Sequence, residues 1–109
     1  MSIIKFAETL EEKESCYEVF SQLRPFLKSK KHFMERLERM EKTNNYSLVY
    51  LKKEKVEAVA GIRKMETFYQ GKLIYVDDLV TNENSRSKGY GKELIGFLKN
   101  YVKIHNFVG

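Results

Sequence analysis

Apolar residues recur with two different periods along this chain, and the change of period separates helices from strands. Ile3 to Phe6 reads as a short strand. Thr9 then fits a helix N-cap, with Glu12 three residues later closing a capping box. The helix that follows is expected from Leu10 to about Leu23, with Cys16, Tyr17, Phe20 and Leu23 near one face. Pro25 interrupts the pattern. A second helix is expected from about Ser29 to Lys42, where Phe33, Leu37 and Met40 repeat at helical spacing and charged residues fill the other side. After Asn44-Asn45 the period shortens to two. Tyr46 to Leu51 reads as a strand, Lys53-Glu54 as a hairpin tip and Val56 to Arg63 as the return strand. A further strand is expected from Lys72 to Thr81, then a polar loop from Asn82 to Ser87. Tyr90, Leu94, Phe97, Leu98, Tyr101 and Val102 complete an amphipathic helix. The order β-α-α-β-β-β-α defines an α/β domain with a mixed α+β sheet, without repeats.

Composition narrows the class. With 109 residues, 42% hydrophobic and 32% charged, the chain suits one small globular domain with a single core. No apolar run is long enough to span a bilayer, and the N-terminus is too acidic for a signal peptide, so a cytoplasmic protein with no membrane partner is expected. Cys16 is the single cysteine and reads as a core thiol. His32 and His105 are isolated, so no metal site is expected. The net charge of +5 favours anionic ligands in general. The basic residues Lys28, Lys30, Lys31, Arg36, Arg39 and Lys42 are offset by Glu35, Glu38 and Glu41. They read as a solvated helix face, and no nucleic acid partner is expected.

Candidate chemistry concentrates at "RSKGYG", residues 86 to 91, between the apolar strand and the last helix. The first turn of a helix leaves N–H groups without intrahelical acceptors and carries a partial positive charge. Glycine lets the backbone approach a ligand closely, and Arg86 and Lys88 add full charges. The geometry suits a diphosphate on a helix N-terminus. Neither a Walker-type GxxxxGK(S/T) nor a dinucleotide-binding GxGxxG is present. The plainer reading is a tight turn ahead of a basic helix.

Strand, polar loop, then Arg86, Gly89 and Gly91 in the spacing "(Q/R)xxGx(G/A)", then an amphipathic helix: this arrangement resembles motif A of the GNAT superfamily of N-acetyltransferases. The order of elements from Ile3 to Lys103 is similar to that family's N-terminal two-thirds, "YVDDLVT" to its central strand and "EAVAGIR" to the preceding hairpin strand. The resemblance implies a GNAT-like acyl-CoA N-acyltransferase fold and transfer of an acetyl group from acetyl-coenzyme A (acetyl-CoA) to a primary amine. It implies that Leu79, Val80 and Thr81 run beside the pantetheine amides, with the Val80 N–H polarising the thioester. It places the pyrophosphate on Ser87, Lys88, Gly89, Tyr90, Gly91 and Lys92, with Arg86 and Lys88 adding charge. It makes Asp77 and Asp78 candidates for the amine's proton. Adjacent residues of a regular strand point to opposite faces, so at most one carboxylate faces inward. Tyr75, on the side of Asp77 in a regular strand, is a candidate lining of the acceptor pocket, and Phe68 and Tyr69 are expected in a loop near the site.

The family's domain continues with a strand, a helix and further strands. Residues 1–109 are therefore expected to form a single domain lacking that C-terminal strand-helix-strand portion, with the strand Lys72 to Thr81 left as an open edge. Such an edge invites pairing, so either a homodimer through it or low stability as a monomer is expected. The alternative to an enzyme is a noncatalytic coenzyme A-binding or protein-interaction remnant.

Overall fold

The computed structural model describes residues 2–109. Four strands, β1 (Ile3–Phe6), β2 (Tyr46–Lys52), β3 (Val56–Thr67) and β4 (Gly71–Thr81), form one antiparallel sheet in the order β1-β2-β3-β4. Helices α1 (Leu10–Ser15), α2 (Tyr17–Leu23) and α3 (Lys30–Thr43) cover one face, and α4 (Tyr90–Ile104) covers the other. Because strand side chains alternate, each strand supplies two cores. Leu48, Tyr50, Val59 and Val80 meet Phe20, Phe33 and Leu37 of α2 and α3. Val49, Leu51, Ala58, Ala60 and Ile62 meet Tyr90, Leu94 and Leu98 of α4. The small residues Ala58 and Ala60 let α4 sit close to the centre of the sheet.

The expected first helix is divided at Cys16. Ser15 Oγ donates to the Glu12 carbonyl at 2.6 Å and Cys16 Sγ donates to the same oxygen at 3.5 Å, while Cys16 N–H turns to Lys13 O. Side chains that compete for a backbone acceptor loosen a helix locally. Cys16 is fully buried, and burial pushes its thiol up to about 12, which makes it an unreactive core residue.

The Thr9 capping box forms as expected. The Glu12 carboxylate also accepts from Lys5 Nζ at 2.7 Å and from the Tyr50 hydroxyl at 3.1 Å, tying α1 to β1 and β2. The Lys5 contact, followed by the Thr9 and Glu8 N–H groups, holds the Glu12 carboxyl well below the usual carboxylate range. A depressed folded-state pKa stabilises fully above the ordinary value of 4.5, and that contribution is lost as pH falls toward the folded value. Glu12→Gln is therefore expected to lose less stability than wild type between pH 7 and pH 3, read from urea midpoints. Equal losses in the two proteins would exclude this role for Glu12.

The open edge of β4 needs a correction. Val108 N–H donates to Lys72 O at 2.7 Å and Ile74 N–H donates to Gly109 O at 2.6 Å. The two bonds advance in the same direction along both segments, which is the sense of a parallel strand. The C-terminal residues thus cover the first part of β4. Among the described residues no backbone partner covers its outer edge from Leu79 to Thr81.

Candidate functional site

The register of β3 and β4 shifts between Gly61 and Ile62: Gly61 pairs with Asp78 and Ile62 with Val76, so Asp77 is the extra residue of a bulge. The bulge breaks the strict alternation expected for Asp77 and Asp78. Both carboxylates instead end on arginines belonging to the α1–α3 side. Asp78 is the inward one. Its Oδ1 accepts from Arg24 Nε at 3.0 Å and Nη2 at 2.6 Å, and its Oδ2 accepts from the Tyr46 hydroxyl at 2.7 Å. The Asp78 side chain is 11% exposed. Burial, then the bond to Asp78, pushes the Tyr46 phenol well above its usual value, so it stays a donor. A carboxylate offers about four acceptor sites. Three are occupied, and one remains on Oδ2.

Asp77 is held outside this cluster. Arg63 Nε and Nη2 grip its two oxygens at 2.6 and 3.0 Å, and the same guanidinium lies over the Tyr75 ring, 5.4 Å from its centroid. Tyr75 does lie beside Asp77, but as the exposed partner of Arg63, outside the cavity beside Asp78. Phe68 and Tyr69 occupy the β3–β4 hairpin tip, at the far end of β4 from Thr81. At ~3.3 Å per residue that separation is about 33 Å, so neither belongs to the site.

Asn82 N–H donates to Glu57 O at 2.8 Å. Bonded pairs alternate along an antiparallel ladder, so Val80 N–H also faces β3 while Leu79 and Thr81 direct N–H and C=O outward. The expectation for Val80 is corrected accordingly: its side chain is core, and the free N–H groups beside it belong to Leu79 and Thr81.

Beyond Thr81 the chain is fastened by a polar cluster. Gln22 Oε1 accepts from Glu83 N–H at 2.9 Å, and Gln22 Nε2 donates to Asn82 Oδ1 at 3.3 Å. Glu57 Oε1 accepts from Asn82 Nδ2 at 3.3 Å and from Ser85 Oγ at 2.7 Å. This holds the short 3-10 turn Glu83–Ser85 and aims the glycine turn after it. Ser87 and Gly89 both have left-handed φ, 77° and 79°. Helix α4 starts with Glu93 N–H donating to Gly89 O at 3.0 Å, which leaves the N–H groups of Tyr90, Gly91 and Lys92 without intrahelical acceptors. Thr9 and Ser29 cap α1 and α3, but no side chain caps α4. Arg86 and Lys88 stand exposed beside this end, while the Tyr90 ring is buried against the sheet. The turn therefore offers several convergent donors and two cations, which is the chemistry of a phosphate cradle. Among the described residues no cluster of His, Cys, Asp or Glu is placed to hold a metal ion. Among the described residues no helix is long and apolar enough to cross a membrane.

An antiparallel sheet between two helical layers thus carries a bulged strand that leads into a helix with no side-chain cap. The sequence profile of the Acetyltransferase (GNAT) family matches residues 8–108, and the chain belongs to that family. Its curated relatives include an uncharacterized N-acetyltransferase of Bacillus subtilis strain 168, YhdJ, 30% identical over 94 residues. That match covers 85% of this chain and 66% of the relative, so the chain spans just under two thirds of the relative's length. Among solved structures, a GNAT family acetyltransferase of Staphylococcus aureus superposes with a TM-score of 0.80 at 21% identity, over 97% of this chain and 81% of that one. AAC(6')-Iy, solved with the bisubstrate analogue CoA-S-monomethyl-acetylneamine, superposes with a TM-score of 0.76 at 12% identity, over 98% and 75% of the two chains. At these identities the likeness carries the fold alone.

Arg24, Tyr46, Arg63, Gln22 and Glu57 were not singled out by sequence reasoning. Only Tyr46 has a legible sign, Gly61, which faces Tyr46 and Asp78 and leaves room for their contact.

Proposed function

We propose that this chain transfers an acetyl group from acetyl-CoA to a primary amine. The observation that carries the reading is the open edge at Leu79 and Thr81 leading directly into the uncapped N-terminus of α4. In this reading the amides of Ser87, Lys88, Gly89, Tyr90, Gly91 and Lys92 hold the pyrophosphate, with Arg86 and Lys88 adding charge. The outward N–H and C=O groups of Leu79 and Thr81 align the pantetheine amides, and the Leu79 N–H, next to the bulge, donates to the thioester oxygen as charge develops there. Asp78 accepts an N–H of the incoming amine at the remaining site on Oδ2 and takes its proton. Arg24 and Tyr46 keep that carboxylate aimed. Asp77, gripped by Arg63, holds the shape of the bulge. Nitrogen–carbon bond formation and carbon–sulfur cleavage give the amide, and the thiolate takes up a proton to leave as coenzyme A. Pairing of two such edges in a homodimer would occupy the same N–H and C=O groups, so dimerisation and coenzyme A binding compete.

Calorimetry with acetyl-CoA and thiol release over an amine panel test this reading. Asp78→Asn is expected to bind acetyl-CoA within about twofold of wild type and to turn over at least ~100-fold more slowly, the usual worth of a positioned base. Binding without turnover in the wild type would support the noncatalytic reading instead. Absence of binding would remove both.

A further inference from the structure

Asp78 also lines a cavity of about 130 Å³ between α2, α3 and the sheet. Its walls are Phe20, Leu27, Phe33, Leu37 and Met40, its inner end holds Tyr46 and Asp78, and its lining includes two arginines. An apolar cavity near 150 Å³ accommodates benzene in another protein, so this one matches a group of about ring size. Arg24 is committed to Asp78. Arg36 is different. It lies on the same face of α3 as Phe33, Leu37 and Met40, not with the charged residues opposite, and its guanidinium sits over the half-exposed Phe26, 5.5 Å from the ring centroid. Lys42 pairs with Glu38 and Lys13 with Glu41, but among the described residues no carboxylate lies within ion-pair distance of Arg36. The solvated stripe expected for this helix therefore loses Arg36 to the cavity mouth.

We infer that the acceptor is a primary amine carrying a ring-sized apolar body and, at the end remote from the amine, a carboxylate. This rests on the assignment of Asp78 as the group that receives the amine. The inner end then supplies one free acceptor at Asp78 Oδ2, the walls bury the apolar body, and the mouth supplies a guanidinium that can grip a carboxylate with two parallel N–H bonds. An amine of this shape satisfies all three regions at once. A plain arylalkylamine leaves Arg36 unmatched, and a polycationic amine would meet Arg36 as a like charge.

The test compares 4-(2-aminoethyl)benzoate with 2-phenylethylamine by calorimetry on the purified chain, without acetyl-CoA. The carboxylate-bearing probe is expected to bind about fivefold more tightly, a modest ratio because Arg36 is solvent-exposed. Arg36→Gln, a change at an exposed position, is expected to erase that ratio while both probes still bind. Equal affinities in the wild type, a ratio that survives Arg36→Gln, or no saturable binding of the carboxylate-bearing probe would each overturn the inference. Acetyl-CoA binding measured on the same protein separates the two readings. Loss of the probe ratio with acetyl-CoA still bound removes this inference alone. A retained ratio with no acetyl-CoA binding removes the acetyltransferase reading and leaves the amine site.

Discussion

Gly61→Ala is expected to destabilise the protein by about 3–5 kcal/mol, combining overpacking of a rigid core with loss of a buried donor to a carboxylate. A Cβ at this position would overlap the Tyr46 hydroxyl outright and come within 2.9 Å of Asp78 Oδ2. Neither neighbour can yield easily. The Tyr46 ring is buried beneath α3, and Asp78 is fixed from the other side by Arg24. Expelling Tyr46 would free Asp78 Oδ2 from its one donor among the described residues. A loss of this size is a large part of the ~5–15 kcal/mol that holds a domain folded. A double-mutant cycle isolates the cause. In a Tyr46→Ala background the obstructing ring is gone, and Gly61→Ala is expected to cost less than ~1 kcal/mol. Urea denaturation of the four proteins measures this. Additive losses would mean that Gly61 is not there to admit the Tyr46–Asp78 contact.

Gly61 also shows where sequence reading reaches and where it stops. Elements with a clear period were legible: β2 began at Tyr46, α3 and α4 appeared within a residue or two of their expected starts, and the Thr9 capping box closed as expected. The glycine turn was legible because a strand, two glycines and a helix occupy one continuous stretch. The bulge at Asp77 was not. A bulge is a property of two paired strands, and nothing in "YVDDLVT" alone distinguishes a regular strand from one with an extra residue. The face count at Asp77 and Asp78 fails at that step, whereas the covered start of β4 depends on where the C-terminal residues pack. Counting faces regularly sent Asp77 and Asp78 to opposite sides. The outward direction of the Leu79 and Thr81 N–H groups likewise follows from the ladder, which the strand alone does not specify. Arg24 was hidden for a related reason. It ends α2 just before Pro25, 54 residues from its partner Asp78, and only the packing of α2 against β4 brings them together. The fold and the glycine turn rest on local pattern, whereas the cluster around Asp78 rests on pairs distant in sequence.

The second large effect is expected at Gly91, where stability and binding should move in opposite directions. Gly89 is unsuitable for such a test because its φ of 79° makes any side chain strained whether or not a ligand binds. Gly91 has ordinary helical geometry inside α4. A Cβ there would meet only Thr81 Oγ1 at 3.5 Å and Leu79 Cδ2 at 4.0 Å, which is ordinary contact. The fold therefore does not require glycine at this position, and an early helical glycine costs stability relative to alanine, by up to ~1 kcal/mol. Gly91→Ala should raise the urea midpoint or leave it unchanged. The proposed cosubstrate gives the reason for the glycine. A pyrophosphate lying on the N–H groups of Tyr90, Gly91 and Lys92 must approach the backbone within hydrogen-bond distance, and a methyl group at Gly91 narrows the gap between the helix end and the Leu79–Thr81 edge. Gly91→Val, with a bulkier branch in the same place, should weaken acetyl-CoA binding further, by at least ~100-fold if two charge-assisted bonds to phosphate are lost at ~1.5 kcal/mol each. Calorimetry with acetyl-CoA, paired with urea denaturation of each variant, reads both quantities. Unchanged affinity in a folded Gly91→Val protein would remove the glycine turn from the binding site, and with it the reason for reading the edge at Leu79 and Thr81 as a pantetheine slot.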